Sequence, residues 1–523
     1  MNKKQFYTLL VMTLSLFGIM TGLTACGDDE EDNGGNTKPT ASLTLRSQTI
    51  QNGAEVEAES TTVLTLTYNT IVSISSSANI TLNGTKVTAK SNATTSMAVD
   101  IPLSLEKGQS YTLNVPEGSF VSKNDASLVN PALTITFTTK AAPQPINNSA
   151  TALAKKLGWG WNLGNHFDTN GDAIKNGWGY WDGVDTPTAG PFEKLALHDA
   201  KTVRIPTTWT DHMDDSYTIS ADYLNEVKGV VDLAIGAGLN VILNTHHDSF
   251  ETDLGNAATN NEAYQKDSTI IVKLWEQVAT KFASYSDQLI FETFNEIHAG
   301  DNWGGGTDAE YALLNKWNQW AVDAIRKTGG NNATRWIGVA GYAANIDLTV
   351  AHLVLPNDPA NRIMVSVHCY DPYNFCLQPY GDDGSALYSA EWGHAKDGAG
   401  AEELNAINQL YKVRAAYIEK DIPCYLGEYG CVWKNTDYEN AFRAYYLEFF
   451  CRAANLAGIP MFVWDNNAKN SGNEANGYID HKTGEWLNDS QTIVPMMIKA
   501  CTSTDSNYGF SAIWAKSPAA KTE

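Results

Sequence analysis

Two glutamates follow short apolar runs, Glu296 behind Leu289–Phe294 and Glu428 behind Pro423–Leu426. A carboxylic acid facing a carboxylate is the pair that cleaves an acetal: one protonates the leaving oxygen, the other acts on the opposite side. At a separation of about 5–5.5 Å the carboxylate is itself the nucleophile and configuration is retained. Other polar or aromatic groups close similar runs: Asn162, Arg204, His246, Asn295, His368, Tyr370 and Trp464. A single glutamate at a strand end is more often a loop ion pair than a catalyst. A set converging on one edge is what an active site needs. His246-His247-Asp248 has metal-ligand residue types, but neighbouring residues on a strand point apart and no third histidine falls at ligand spacing, so no metal is expected. Glu292, four residues before Glu296, reads as a buried partner for a cation.

Eight apolar runs would carry these groups: Gly158–Leu163, Thr202–Ile205, Asn240–Asn244, Leu289–Phe294, Arg335–Val339, Ile363–Val367, Pro423–Leu426 and Met461–Val463. Continuous apolar runs are the mark of parallel strands covered on both faces. Helical stretches alternate with them, among them Ala221–Gly236, Ser268–Tyr285, Ala309–Thr328 and Glu402–Ile418. Strand and helix alternating eight times predicts a (β/α)8 barrel, whose catalytic groups sit at the C-terminal ends of its strands. A doubly wound sheet would show a similar alternation. Upstream the texture is different. Residues 41–140 hold short period-two runs such as Val63–Leu66, Tyr111–Val115 and Leu133–Phe137, with turn residues between them and no Trp. This predicts an all-β sandwich, read as a spacer. The expected division is a signal segment at 1–25, an acidic tether at 26–40, the sandwich at 41–140, a Pro-containing linker at 141–150 and the barrel at 151–515.

The strand-end motifs carry a family resemblance. Asn295-Glu296, His368-Cys369-Tyr370, Gly427-Glu428-Tyr429-Gly430 and Trp464 resemble the signature of glycoside hydrolase family 5, in its cellulase-type branch. Asn162-Leu163-Gly164-Asn165, Val203-Arg204-Ile205-Pro206 and His246-His247-Asp248 extend the likeness to the first three strands. The segment Gly108–Thr139 resembles bacterial Ig-like modules. The resemblance implies an endo-β-1,4-glucanase acting by double displacement on a plant cell-wall β-glucan, with Glu296 as acid/base and Glu428 as nucleophile. Asn162, Arg204, Trp209, His246, His247, Asn295, His368, Tyr370 and Trp464 are then expected to bind substrate or order the site. No cofactor is implied. Xyloglucan, mixed-linkage glucan and β-mannan are neighbouring substrates, separated by loops rather than by the glutamates. A non-catalytic glycan-binding surface lipoprotein is the rival from another class. Trp178, Trp181, Trp209 and Trp303 lie in loops at the catalytic edge, where they could line a long open cleft or pack the loops; Trp209 alone adjoins a motif.

The bulk composition fits this. The 523 residues carry a formal charge of −23, which argues against nucleic acid and anionic polymers as partners. Fifteen Trp and 23 Tyr supply flat faces suited to sugar rings, though most must be core. Lys3 and Lys4, the apolar run Phe6–Leu23 and then Leu23-Thr24-Ala25-Cys26 resemble a lipoprotein export signal cleaved before Cys26. The run is also close to the length of a membrane span. Gly27–Asp32 resembles the acidic tag of bacterial surface lipoproteins, so the expected location is the outer face of the outer membrane, lipid-anchored through Cys26, or secreted. A monomer is expected. Of the other six cysteines, Cys369 with Cys376 or Cys424 with Cys431 could form disulfides in such a compartment.

Overall fold

The computed structural model describes residues 43–521 apart from 57, 59–62, 141–145, 172, 174–180, 379–388, 394–399 and 473. The export signal, the acidic tether with Cys26, half of the linker and Trp178 lie outside these residues. The chain divides into two compact units. One includes Thr65–Ile101 and Leu113–Ile135; the other is Thr136–Glu523 with Ile50–Leu64 and Pro102–Thr112.

Residues 45–139 form sheets of four, two and five strands. Their pairings include antiparallel ones, Leu45–Gln48 with Val63–Tyr68 and Phe120–Ser122 with Val72–Ile74, and one parallel, Leu133–Thr139 with Ala54–Val56. The period-two pattern works as expected. Leu64, Leu66 and Tyr68 are buried while the residues between them face outward or lie half-buried.

The second unit is built on a closed barrel of eight parallel strands. They are β1 (Trp159–Asn162), β2 (Thr202–Ile205), β3 (Asn240–Asn244), β4 (Leu289–Glu292), β5 (Ile337–Asn345), β6 (Ile363–Cys369), β7 (Cys424–Tyr429) and β8 (Met461–Val463). β1 closes the ring on β8 in parallel register. Each strand leads to a helix, in order α1 (Ala189–Leu197), α2 (Ala221–Gly236), α3 (Asn261–Lys281), α4 (Asp308–Lys327), α5 (Ile346–His352), α6 (Ala401–Ala416), α7 (Asp437–Ala457) and α8 (Ser490–Thr502). α7 shows why these segments are helical. Thr436 accepts from the Glu439 N–H and Glu439 bonds back to the Thr436 N–H, a capping box that contributes about 1 kcal/mol. Phe442, Tyr446, Phe449 and Phe450 then bury its inner face.

The barrel interior is layered. Ile242, Ile290, Met364, Tyr425 and Phe462, from five strands, form a buried apolar plug. Two residues further along β3, β4 and β6, the same inward face carries Asn244, Glu292 and Ser366, all fully buried. The lower layer shuts the barrel, and the upper layer is polar because it supports the site. Gly338 on β5 allows the two layers to join: a Cβ there would lie 2.1 Å from the Tyr425 hydroxyl.

Several boundaries differ from the sequence expectation. β7 runs on to Tyr429, so Glu428 lies within the strand rather than behind it, and β5 extends to Asn345. Register irregularities between Val367 and His368, and between Leu426 and Tyr429, re-aim the ends of β6 and β7. They bring His368 and Glu428 into direct register. α3 starts at Asn261, earlier than expected, because Asn260 caps a first turn too polar to show periodicity. The cysteine pairings do not form: Cys369, Cys376, Cys424, Cys431, Cys451 and Cys501 are all free. Cys424 opens β7 and Cys431 lies just past its end. At about 3.3 Å of rise per residue they are far beyond the ~7 Å limit for a disulfide.

Candidate active site

The site is organised around one guanidinium. Arg204, fully buried on β2, donates to Glu292 at 2.7 Å, to Glu428 at 2.7 Å, to Asn295 Oδ1 at 2.8 Å and to Asn162 Oδ1 at 3.0 Å. A buried cation with two carboxylates fixes both of them in space. Glu292 is filled from every side, accepting also from Asn244 Nδ2 (3.1 Å), Ser366 Oγ (3.1 Å) and the Tyr425 hydroxyl (2.6 Å). Burial alone would raise its pKa, but Arg204 outweighs that and holds it below the ordinary range. Glu292 is therefore the buried partner of a cation and has no free oxygen for chemistry.

Glu428 receives Arg204 on Oε1 and the Tyr370 hydroxyl, at 3.0 Å, on Oε2. Glu296 has no such support. Burial first, and then the charge of Glu251, push its pKa up to about 7, against the weaker pull of Arg204, His247 and His298. Its Oε1 lies 2.6 Å from His368 Nδ1, and the same nitrogen is 3.8 Å from Glu428 Oε2. Burial pushes the His368 pKa down to about 4, so the ring is neutral. A neutral imidazole can accept from a protonated Glu296 or donate to an ionised one, so this contact suits both states. One carboxyl oxygen of Glu296 and one of Glu428 lie within 4.8 Å of each other.

The β3 end supplies the next wall. Asn244 accepts from the Thr207 N–H through Oδ1, so its Nδ2 faces His246 Nδ1 at 3.2 Å. His246 Nδ1 is then an acceptor, and the proton sits on Nε2, 4.0 Å from Glu428 Oε1. Burial, followed by the charges of His247 and Arg204, keeps this ring neutral. Trp464 lies parallel to His246, with centroids 5.7 Å apart and planes 11° from parallel. His247 is half-buried and pairs through Nδ1 with Glu251 at 2.9 Å. Burial opposes its charge, but Glu251 prevails and lifts its pKa to about 9.

Glu296, His246, His247, Asn295, His368, Tyr370, Glu428 and Trp464 thus gather at one edge of the barrel. Three expected contact residues do not reach the cleft. Asn162, Arg204 and Trp209 are each 0% exposed. Asn162 spends its amide on the carbonyls of Gly427, Phe462 and Val463; Trp209 donates to the Asn244 carbonyl and packs on Tyr223. All three are engaged by protein partners and help to hold the site in place. The loop tryptophans divide the other way: Trp181 and Trp303 are exposed, Trp209 is not. Asp248 is also structural, its Oδ1 capping the N–H groups of Trp209 and Thr210.

Two groups bring metal-type donor atoms within 4.8 Å of one another, Glu296–His368–Glu428 and Asp168–His246–His247. Hydrogen bonds already engage a ring nitrogen of each histidine. Protein partners account for their orientation, and no metal role is assigned.

A family model described as Cellulase (glycosyl hydrolase family 5) matches residues 165–470. The chain belongs to glycoside hydrolase family 5. Endoglucanase A of Clostridium longisporum is 34% identical over 356 residues, which cover 65% of this chain and 63% of that relative's length. A solved Bacteroidetes-affiliated family 5 cellulase, linked with a polysaccharide utilization locus, is 36% identical with a TM-score of 0.66. It covers 72% of this chain and 99% of its own. A broad-specificity endoglucanase from Bacteroides salanitronis is 39% identical with a TM-score of 0.62, covering 69% and 97%. The family's motifs account for the strand-end residues but not for all of the site. Glu251, which orients His247 and Asn295 and raises the Glu296 pKa, was not singled out from the sequence. Its only signal there is the four-residue spacing from His247.

Proposed function

We propose that this family 5 enzyme is a retaining endo-β-1,4-glucanase that cuts internal bonds of a plant cell-wall β-glucan by double displacement. The carrying observation is the close approach of two carboxyl groups in opposite electrostatic settings. Glu428 accepts from Arg204 and from the Tyr370 hydroxyl, while burial and Glu251 push the Glu296 pKa up to about 7. Oxygens within 4.8 Å of each other support the short separation of a retaining pair over the separation of about 6.5–9.5 Å typical of an inverting one. In this reading Glu296 protonates the leaving oxygen as Glu428 attacks the anomeric carbon. Glu296 then takes a proton from the water that releases the sugar. Trp464 stacks on the ring at the cleavage site and Asn295 approaches its hydroxyls.

The broad specificity named for the Bacteroides salanitronis relative favours a second, wider reading, in which xyloglucan and mixed-linkage glucan are also cut. Initial rates on carboxymethylcellulose, lichenan, xyloglucan and galactomannan separate the two, and activity on mannan alone would overturn both. NMR of the first-formed anomer tests the stereochemistry: a β-product supports retention and an α-product sinks it. Glu428→Ala should lower turnover by at least 10³-fold while leaving polysaccharide binding in place (order of magnitude for a lost nucleophile). For location we propose lipid anchoring through Cys26; fatty-acid labelling that survives Cys26→Ser would contradict it.

A further inference from the structure

Behind the cleft lies a charge cluster that the reaction does not use. His481 is fully buried between two carboxylates, with Nδ1 at 2.9 Å from Asp182 Oδ2 and Nε2 at 3.4 Å from Asp465 Oδ1. Asp182 also meets His166 Nδ1 at 3.1 Å, and Asp465 accepts from Trp161 Nε1 at 2.8 Å and from the N–H groups of Tyr478 and Ile479. Asn467 adds a second tie: its Nδ2 donates to the Asp182 carbonyl, and its Oδ1 accepts from the His481 N–H.

These residues come from two loops, one after β1 and one after β8. Each carboxylate directly follows a tryptophan, Trp181 before Asp182 and Trp464 before Asp465. The two tryptophans flank the histidine pair at the end of β3. Trp464 lies parallel to His246, and Trp181 meets His247 edge-on at 6.1 Å. Gly164 lets the β1 loop press onto the other wall, since a Cβ there would lie 2.7 Å from the Trp464 ring.

We propose that Asp182, His481 and Asp465 form a clamp that sets the spacing of Trp181 and Trp464, and so positions the glucan chain in the cleft. The clamp rests on the glucanase reading above. His481 is a positioning residue: it touches no substrate and acts through the carboxylates that anchor the two aromatic walls. Nδ1 bonds to Asp182, and only the imidazolium also sets positive charge beside Asp465, whose Oδ1 lies 3.4 Å from Nε2 as an ion pair without a hydrogen bond. Burial disfavours that charge, yet Asp182 and Asp465 outweigh it and raise the His481 pKa to about 9. His166 and Asp168 act on Asp182 from the β1 loop. On the β8 side Asp480 turns outward to Lys469, and Lys482 is exposed. The clamp therefore holds at neutral pH and opens as pH rises through about 9.

The test uses the full chain and a thio-linked cellotetraose, which is bound but not cut. Calorimetry on the unmutated protein should show affinity falling about tenfold between pH 7 and pH 10, equal to about 1.4 kcal/mol. His481→Asn keeps a donor for Asp182 but loses the charge and the Asp465 contact. It should bind about tenfold more weakly at pH 7 and show no further loss at pH 10. Its kcat on lichenan at pH 6 should stay within about twofold while KM rises, because the chemical step is untouched. Unchanged affinity of the unmutated protein up to pH 10 would overturn the clamp and needs no variant to fold. So would a variant that keeps the same pH dependence, since Glu296 or His247 would then be the titrating group. A parent protein that neither binds nor cuts cello-oligosaccharides at pH 7 would overturn the glucanase reading and the clamp with it. Failure of the clamp alone leaves binding and turnover at pH 7 intact.

Discussion

Arg204 is shared by two carboxylates with different fates. Glu292 is saturated by four side chains, whereas Glu428 keeps one face toward the cleft. Glu292→Gln would turn an amide N–H toward the same donors and leave Arg204 half-neutralised in a buried setting. A loss of about 3–5 kcal/mol is expected, read as a lower denaturant midpoint, even though Glu292 touches no substrate. Glu296 is the pH-sensitive member. Its raised pKa means that the proton needed for cleavage is present below about 7 and lost above it. Log kcat/KM should therefore fall with unit slope above about pH 7, and a flat profile to pH 9 would count against the acid role. Glu296→Ala should be far less damaging on an aryl cellobioside with an activated leaving group than on lichenan. Equal losses would contradict proton donation. At this scale much was legible in the sequence: the polar or aromatic residue closing nearly every apolar run marked the ring of groups. What the sequence could not convey was depth. Asn162, Arg204 and Trp209 carry the same motif signal as His246 or Tyr370, yet they are fully buried and engaged by protein partners. Only the three-dimensional register separates the layers.

Among the elements, the strands were easier to locate than their ends. Runs covered on both faces are apolar throughout, so β2, β3 and β8 stand where the sequence put them. β7 and β5 extend further through residues that interrupt the apolar run, such as Gly427, Glu428 and Gly341, yet are buried, Asn345 alone being exposed. The irregular register near His368 and Glu428 leaves no mark in the sequence, and it is this irregularity that faces the two side chains toward one another. Gly338 is a sensitive point on β5. Tyr425 cannot retreat from a new Cβ without releasing Glu292. Gly338→Ala should cost about 1–3 kcal/mol by overpacking, seen as a lower Tm with activity per folded molecule also reduced. A variant as stable as the parent would show that the barrel interior can relax.

For the whole molecule the net charge of −23 bears on which polymer the cleft admits. Carboxymethylcellulose is repelled by such a surface and lichenan is not. Raising the salt concentration from about 0.01 M to 0.15 M shortens the screening length from ~30 Å to ~8 Å. The rate on dilute carboxymethylcellulose should rise several-fold over this range, while the rate on lichenan stays level. Parallel curves would show that the acidic groups lie away from the approach path. The six free thiols among the described residues, all but Cys501 buried, have a different consequence. While the chain is folded, burial screens five of them from solution oxidants, although Cys376 lies within hydrogen-bonding reach of Cys431 and Cys451 of Cys501. Once heat unfolds it in air they meet at random, and mispaired chains cannot return. A brief heat pulse should therefore leave recoverable activity in the presence of a reducing agent and little without one. The folded barrel is thus the protecting group for its own cysteines, and durability in use is set by how rarely it opens rather than by how stable it is at rest.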